Sequence, residues 1–233
     1  MQFSKYFFDN MVAPNLSELK NPVLPDLGDY RKHRWLNALI LRLTIFPSLT
    51  DPLRSHLKGF FRRTEAAIEE YEAARAALAD YVGGAPEVLT RYWNALNHFE
   101  YCISQAHQSL FILRRMTKTD YFSKGDGSVP QKLNAVYNLS HHLEKLVEQG
   151  KSDQETGIAI WLTNDGITTT TDSLTYAEIA EVVEGLTDAA ILLHDKMEQM
   201  TSSVFNFPSY KEEGQPDTKI VAEVTPPSKE PDV

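Results

Sequence analysis

The 233-residue chain has a single cysteine, Cys102, and no long apolar run. A lone cysteine excludes an internal disulfide and a CxxC metal site. A membrane-spanning helix needs about 20 mostly apolar residues, whereas the longest candidate, residues 35–46, is shorter and contains Arg42. The first residues are interrupted by Lys5 and Asp9, unlike the apolar run of a signal peptide. We therefore expect a soluble, cytoplasmic protein with no membrane partner.

Positive charge is scarce over the chain as a whole, since the formal net charge at pH 7 is −9. This balance argues against a broad basic surface of the kind that binds duplex DNA. It leaves room for a small basic site. Hydrophobic residues make up 42% and charged residues 24% of the chain, which is typical of a globular protein.

Residues 86–118 give the clearest helical pattern. Apolar residues recur there at alternating steps of three and four, which places them on one face of an α-helix: Leu89, Tyr92, Leu96, Phe99, Ile103, Ala106, Leu110 and Leu113. A polar series follows two positions later, rotated by about 200°, and we expect it to face away from the core: Arg91, Asn94, His98, Tyr101, Gln105 and Gln108.

Four further helices are predicted, over residues 31–46, 51–82, 130–149 and 176–200. Asp51 is the predicted N-cap of the second of them, with Pro52 at its first helical position and Leu53 on its buried side. The pair Thr175 and Glu178 matches the capping box that begins a helix. Between the last two helices, β-prone runs at 158–163 and 167–171 flank an Asn-Asp-Gly turn and predict a hairpin.

The predicted fold class is therefore all-α, a bundle of four to five helices with a small β-hairpin insertion before the last helix. Residues 31–205 form the predicted bundle domain. Residues 1–30 are expected to be an extended arm with a helical turn at 16–20. Residues 206–233 are rich in proline and acidic residues, which predicts a disordered tail.

Arg91 and His98 are the first candidates for chemistry. Seven residues are nearly two helical turns, so the two side chains point the same way about 10 Å apart. An arginine can hold a phosphate with two hydrogen bonds, and a histidine can transfer protons near neutral pH. Metal-independent RNA cleavage requires these two roles. The alternative is that both are solvated residues of the outer face.

This Arg91-x6-His98 pair resembles the signature of HEPN-domain proteins, an arginine separated by four to six residues from a histidine on a helix of a small all-α bundle. The segment with Tyr137, Asn138, His141 and His142 is similar to a pattern in bacterial helical proteins of HEPN-like type. The resemblance implies a dimer through helix faces, whose paired motifs cleave RNA without a cofactor. It implies catalytic roles for Arg91 and His98 in an endoribonuclease or a toxin- or defence-type module.

The binding candidates are Asn94 on the polar series and Asn138 and His141 on the following helix. Asn134, Asn138, His141 and Lys145 are spaced by four, three and four residues, which puts them on one helix face. Such a group can bind a phosphate or supply a second proton-transfer residue. The alternative is a polar network between helices that anchors the loop at 126–128.

Other sites receive less support. His141 and His142 diverge by about 100° on a helix, and there is no HExxH motif, so we expect no metal site. The loop from Gly125 to Ser128 lies before a helix and could present backbone N–H groups to an anion, or act simply as a turn and N-cap. Two basic segments are present, which need not merge: Arg54, Lys58, Arg62 and Arg63, and Arg114, Arg115 and Lys118.

Two functional hypotheses of different classes follow. One is the HEPN-like, metal-independent RNase, with RNA as its partner. The other is a non-enzymatic helical module that binds a protein partner, favoured by the acidic balance and by the lack of a strict catalytic motif.

Overall fold

The computed structural model describes residues 5–35, 37–40, 51–84, 88–141, 148–150 and 158–204. The helices with described bounds are α1 (Lys5–Met11), α2 (Leu53–Gly83), α3 (Val88–Thr117), α4 (Val129–His141) and α5 (Tyr176–Val204). Three short strands, β1 (Ile160–Leu162), β2 (Gly166–Thr169) and β3 (Ser173–Thr175), precede α5. This confirms the predicted all-α class and the β insertion before the last helix, and it adds a third strand to the predicted hairpin. The predicted tail at 206–233 lies outside the described residues.

Helices α2 and α3 pack antiparallel and build most of the core. Near the start of α2, the Ser109 hydroxyl of α3 donates to the Phe60 carbonyl oxygen (3.4 Å), and near its end Arg91 of α3 contacts Asp80. Between these points the ring of Tyr71 on α2 packs edge to face against the ring of Phe99 on α3. The predicted apolar face of α3 is confirmed, with six members buried and Leu89 and Leu110 partly buried: Tyr92, Leu96, Phe99, Ile103, Ala106 and Leu113.

The start of α2 differs from the prediction. Pro52 is the N-cap residue and makes no side-chain capping hydrogen bond. The Asp51 carboxylate accepts a hydrogen bond from the Ser55 hydroxyl (2.6 Å), so its partner is a side chain one turn ahead and not a backbone N–H group. Leu53, predicted to be buried, is 43% exposed.

The N-terminal segment is partly helical, whereas the sequence predicted an extended arm. In addition to α1, a 3-10 turn forms at Leu16–Glu18, close to the predicted turn. Ser17 stabilises this turn, because its backbone N–H and its hydroxyl both donate to the Asp9 carboxylate (2.7 Å each). The apolar residues expected to cover the bundle pack against the core where they are described: Phe7, Phe8 and Leu24. Phe3 lies outside the described residues.

The predicted helix at 31–46 does not begin at Arg31. Gly28–Lys32 is a 3-10 helix, residues 33–35 are not helical, and helical structure is described only at 37–40. Tertiary contacts explain the difference: the Trp35 backbone N–H donates to a carboxylate oxygen of Glu65, and the Trp35 ring stacks on His33 at 5.1 Å. The rest of this predicted helix lies outside the described residues.

The β insertion is an antiparallel sheet in the order β1-β2-β3. Ile167 of β2 pairs with Leu162 of β1 and with Leu174 of β3, and all three side chains are buried. The sheet is attached to α3, because the Leu162 backbone N–H donates to the Tyr92 hydroxyl oxygen (3.3 Å). Trp161 packs against the core, as predicted. The insertion therefore lies beside the N-terminal end of α3.

The predicted capping box at the start of α5 is confirmed. The Glu178 carboxylate accepts a hydrogen bond from the Thr175 backbone N–H (2.8 Å), and the Glu178 backbone N–H donates to the Thr175 hydroxyl (3.1 Å). Lys132 of α4 donates to the same carboxylate at 2.5 Å. Glu178 thus ties the sheet, α4 and α5 together.

The side chain of Asn164 attaches the N-terminal segment to the sheet. Its Oδ1 accepts hydrogen bonds from the backbone N–H groups of Lys20 and Asn21 (2.9 Å each). Its Nδ2 donates to the Glu18 carbonyl oxygen (2.8 Å). One turn residue therefore satisfies three backbone groups of a distant segment.

Candidate functional site

Arg91 of α3 reaches across to the C-terminal end of α2. Its Nη1 donates a hydrogen bond to the Asp80 carbonyl oxygen at 3.1 Å. Carbonyl groups in the last turn of a helix lack partners within the helix, and a cation is favourable there. A Cβ at Gly84 would lie 2.2 Å from Arg91 Nη1, so the glycine leaves room for this contact. Arg91 acts as a cap for α2.

His98 also faces α2. Its Nδ1 lies 2.6 Å from Glu70 Oε2, and the two side chains are 39% and 31% exposed. One heptad later, Gln105 Oε1 accepts a hydrogen bond from Arg63 Nη1 at 2.6 Å. The polar series predicted to point outward is thus, at these positions, a polar column along the seam between the two helices.

Arg91 and His98 have separate partners on α2. Asp80 and Glu70 are ten residues apart, about 15 Å along a helix. Among the described residues, Arg91 and His98 share no hydrogen-bond partner. The structure does not bring them onto a common group within one chain, and a catalytic role for the pair stays a prediction.

The three predicted binding residues do not form one group. Asn94 is exposed on α3, 13 residues before His107, where α3 meets α4, and therefore about 20 Å away along the axis. Asn138 is exposed on α4, and the side chain of neither asparagine makes a hydrogen bond with a described residue. His141, also exposed, has its Nδ1 3.1 Å from the Tyr137 carbonyl oxygen. His142 and Lys145 lie outside the described residues.

Several backbone N–H groups in and around the loop before α4 are bound by side chains of the loop itself. The Asp126 carboxylate accepts hydrogen bonds from the backbone N–H groups of Ser123 (2.5 Å) and Ser128 (2.9 Å). The Ser128 hydroxyl accepts from the Gln131 backbone N–H at 3.4 Å, so the predicted N-cap is present. Asp126 occupies the position an anion would take.

A cluster of rings joins α3 to α4. The ring of Tyr137 stacks on that of His107 at 3.8 Å between ring centres, and the His141 ring packs against it at 4.1 Å with a tilt of 33°. His107 Nε2 lies 3.0 Å from the side-chain oxygen of Asn134, so this nitrogen carries the proton. Burial lowers the pKa of His107, and the Asn134 hydrogen bond opposes this shift only in part. His107 is therefore a neutral ring at pH 7.

A cavity of about 160 Å³ opens beside this cluster. Half of its eight lining residues are aliphatic or aromatic, namely Leu110, Phe111, Tyr121 and Phe122. The other half are polar or charged, namely His107, Arg114, Asp120 and Asn134. Arg114 and Asp120 form an ion pair, and both are exposed. The cavity is thus lined by apolar side chains together with the polar side chains of His107 and Asn134, and its two charged residues are exposed to solvent.

The two basic segments lie at the same end of the α2–α3 hairpin. Early in α2, a Cβ at Gly59 would be 3.1 Å from Ile112 of α3, which places Lys58 beside the segment that ends in Arg115 and Lys118. We call residues 51–65 and 105–141 the basic end. It contains nine basic residues (Lys and Arg) and four acidic residues (Asp and Glu). The rest of the chain contains 14 basic and 28 acidic residues.

An exposed aromatic ring accompanies these cations. Phe111 is 45% exposed, and the guanidinium carbon of Arg115 lies 4.6 Å from its ring centre. This is a cation–π arrangement. Lys58, Arg62 and Lys118 are exposed and form no ion pair with the described residues. The basic end therefore offers several uncompensated charges next to an accessible aromatic face.

Glu100 is a titratable residue that the sequence analysis did not single out. It lies seven residues before His107, so both project from similar sides of α3. Burial raises the pKa of its carboxyl group to about 7. Nothing in the spacing distinguishes Glu100 from a solvated glutamate, because its burial depends on the neighbouring elements.

Possible metal ligands occur on α5. One ligand atom from each of His194, Asp195 and Glu198 lies within 4.8 Å of the other two. The two acidic side chains are exposed, and exposed carboxylates often lie close together without binding an ion. This is a different place from the histidine pair considered in the sequence.

We compared the chain with known protein families, curated proteins and solved structures. No protein-family model, curated protein or solved structure matches the chain. The resemblance to HEPN proteins thus rests on the residues quoted for it and stays a prediction. Within the part of the chain that the structure describes, no helix combines the length and apolar character needed to cross a membrane.

Proposed function

We propose that this protein binds single-stranded RNA at the basic end of the α2–α3 hairpin. The observation that carries the proposal is the meeting of two basic segments, about 50 residues apart in sequence, beside Gly59 and Ile112. Phosphate neutralisation supplies most of the affinity of non-specific nucleic-acid binding. Lys58, Arg62 and Lys118 are exposed cations suited to that role.

Aromatic side chains favour a single strand over a duplex. Unpaired bases stack on aromatic rings and on guanidinium planes, and single-stranded RNA presents such bases. The basic end provides Phe111 with Arg115 over its ring. A duplex needs a wider basic surface, and the acidic residues elsewhere on the chain oppose one.

The proposal concerns binding and does not require cleavage. Arg91 and His98 lie toward the other end of α3 and have partners on α2. Cleavage by a pair of chains that each contribute these residues remains a separate hypothesis.

Fluorescence anisotropy with a labelled single-stranded RNA in EDTA tests the proposal. The variant Lys58→Glu/Lys118→Glu reverses one charge on each basic segment. The matched control Lys20→Glu/Arg31→Glu makes the same change in the N-terminal segment. We expect the first variant to bind at least about tenfold more weakly at low salt, and to reduce the slope of log K against log salt by about 1 to 2.

Two results would contradict the proposal. One is that the parent protein does not bind RNA at low salt. The other is that the two double variants lose affinity equally, since the effect would then come from net charge and not from the basic end. Binding to a protein partner would become the better hypothesis in the first case.

A further inference from the structure

We infer that the cavity beside His107 accepts one pyrimidine base of the bound RNA strand. The inference rests on the proposed function and adds a base preference to it. The cavity opens at the basic end, and Arg114 is part of both. A strand whose phosphates follow the exposed cations therefore passes the cavity mouth.

The size of the cavity favours a single ring. An apolar protein cavity of about 150 Å³ is large enough to bind benzene, and this one measures about 160 Å³. Phe111, Tyr121 and Phe122 supply aromatic walls, which suit the faces of a base. The single ring of a pyrimidine is closer in size to benzene than the two fused rings of a purine are, so the volume favours a pyrimidine.

The polar groups of the cavity favour a base that carries a carbonyl group. The side-chain oxygen of Asn134 is engaged by His107 Nε2 at 3.0 Å. What Asn134 offers to a ligand is therefore its NH2 group, a hydrogen-bond donor. Uracil and cytosine both carry a carbonyl oxygen that can accept this bond, whereas adenine has none.

The N–H groups of the base have an acceptor at the mouth of the cavity. Asp120 is an acceptor held beside Arg114, and it can accept a ring N–H from uracil or an amino N–H from cytosine. A donor from Asn134 and an acceptor from Asp120, among aromatic lining residues, match the edge and faces of a pyrimidine. His107 remains neutral and fixes the orientation of the Asn134 amide.

The test compares 12-nucleotide strands of uridine and of adenosine by fluorescence anisotropy, using the full chain. We expect the parent to bind the uridine strand about three- to tenfold more tightly, the value of one or two neutral hydrogen bonds. Asn134→Asp retains the acceptor for His107 and removes the donor, so the ratio of the two affinities should approach one. Gln131→Glu adds the same charge to α4 and should leave the ratio unchanged.

A second cavity variant, together with the affinities of both strands, separates failure of the pyrimidine site from failure of RNA binding. Phe122→Trp enlarges a wall without changing charge and should also reduce the ratio. If the parent binds both strands equally and Lys58→Glu/Lys118→Glu weakens both, the pyrimidine site is wrong and the proposed function stands. If the parent prefers uridine and Asn134→Asp retains that preference, the site is also wrong. If neither strand binds, both proposals fail.

Discussion

Replacing Arg91 and His98 together distinguishes a structural from a catalytic role for the pair. In the structure each side chain contacts α2, Arg91 through the Asp80 carbonyl group and His98 through the Glu70 carboxylate. We therefore predict that Arg91→Ala/His98→Ala destabilises the protein. A pair that served only in catalysis would leave stability unchanged and abolish RNA cleavage.

The expected loss follows from the two contacts. A guanidinium that donates to an exposed carbonyl group at a helix end contributes about 0.5–1 kcal/mol. The His98–Glu70 pair is about one-third exposed, so solvent screening limits it to a similar value of about 0.5–1 kcal/mol. Together they give about 1–2 kcal/mol, and for a chain of this size each kcal/mol lowers Tm by about 2–4 °C.

Urea unfolding and thermal unfolding measure the loss, with Asn97→Ala as control. Asn97 is exposed on the same helix, and its truncation should change the free energy of unfolding by less than about 0.5 kcal/mol. Incubation of the same samples with single-stranded RNA in EDTA measures cleavage. The structural reasoning would be refuted if the double variant were as stable as the parent. Cleavage by the parent alone would then assign both residues to catalysis.

Three further predictions concern stability. Glu178→Ala removes the acceptor of the capping box and the partner of Lys132, so we expect the free energy of unfolding, measured in urea, to fall by about 1–3 kcal/mol. The control Glu181→Ala, at an exposed position of the same helix, should lower it by less than about 0.5 kcal/mol. Gly166→Ala places a Cβ 2.2 Å from the Leu174 carbonyl oxygen, so it should lower Tm by several degrees; an unchanged Tm would mean that β2 and β3 are not paired as described. His107 has a lowered pKa in the folded protein, so the unfolded chain takes up its proton first as the pH falls below about 6.5 and stability declines. His107→Gln should therefore make the free energy of unfolding less dependent on pH between 7 and 5, and an equal slope in both proteins would contradict this.

The fold could be predicted where local signals and tertiary packing agree. The apolar period of α3 and the Thr175–Glu178 capping box are local features, and the structure confirms both. Prediction failed where a distant residue decides the conformation. Trp35 is not helical because its backbone N–H donates to Glu65, 30 residues away. The 3-10 helix Gly28–Lys32 precedes it and spans the predicted boundary between the extended arm and the helix at 31–46.

Site prediction was limited for the same reason. The spacing of Arg91 and His98 shows that they point the same way, and it cannot show what lies opposite them. Their partners, Asp80 and Glu70, come from α2. Conversely, His107 was not singled out, because its environment depends on Asn134 and Tyr137 of another helix. The identity of Asn134 as a candidate could be read from its position on α4, but its partner could not.

Net charge was the least informative guide to binding, and antiparallel helix pairing explains why. A formal charge of −9 describes the average of the chain. When α2 and α3 form a hairpin, the start of one lies beside the end of the other, so the cations near Lys58 and those near Arg115 collect at a single end. An electrostatic field acts over about one Debye length, roughly 8–10 Å at moderate salt. A polyanion therefore responds to the charges within that distance and hardly at all to acidic residues at the other end of a helix about 45 Å long. The local balance at the basic end, and not the total, decides whether RNA binds there.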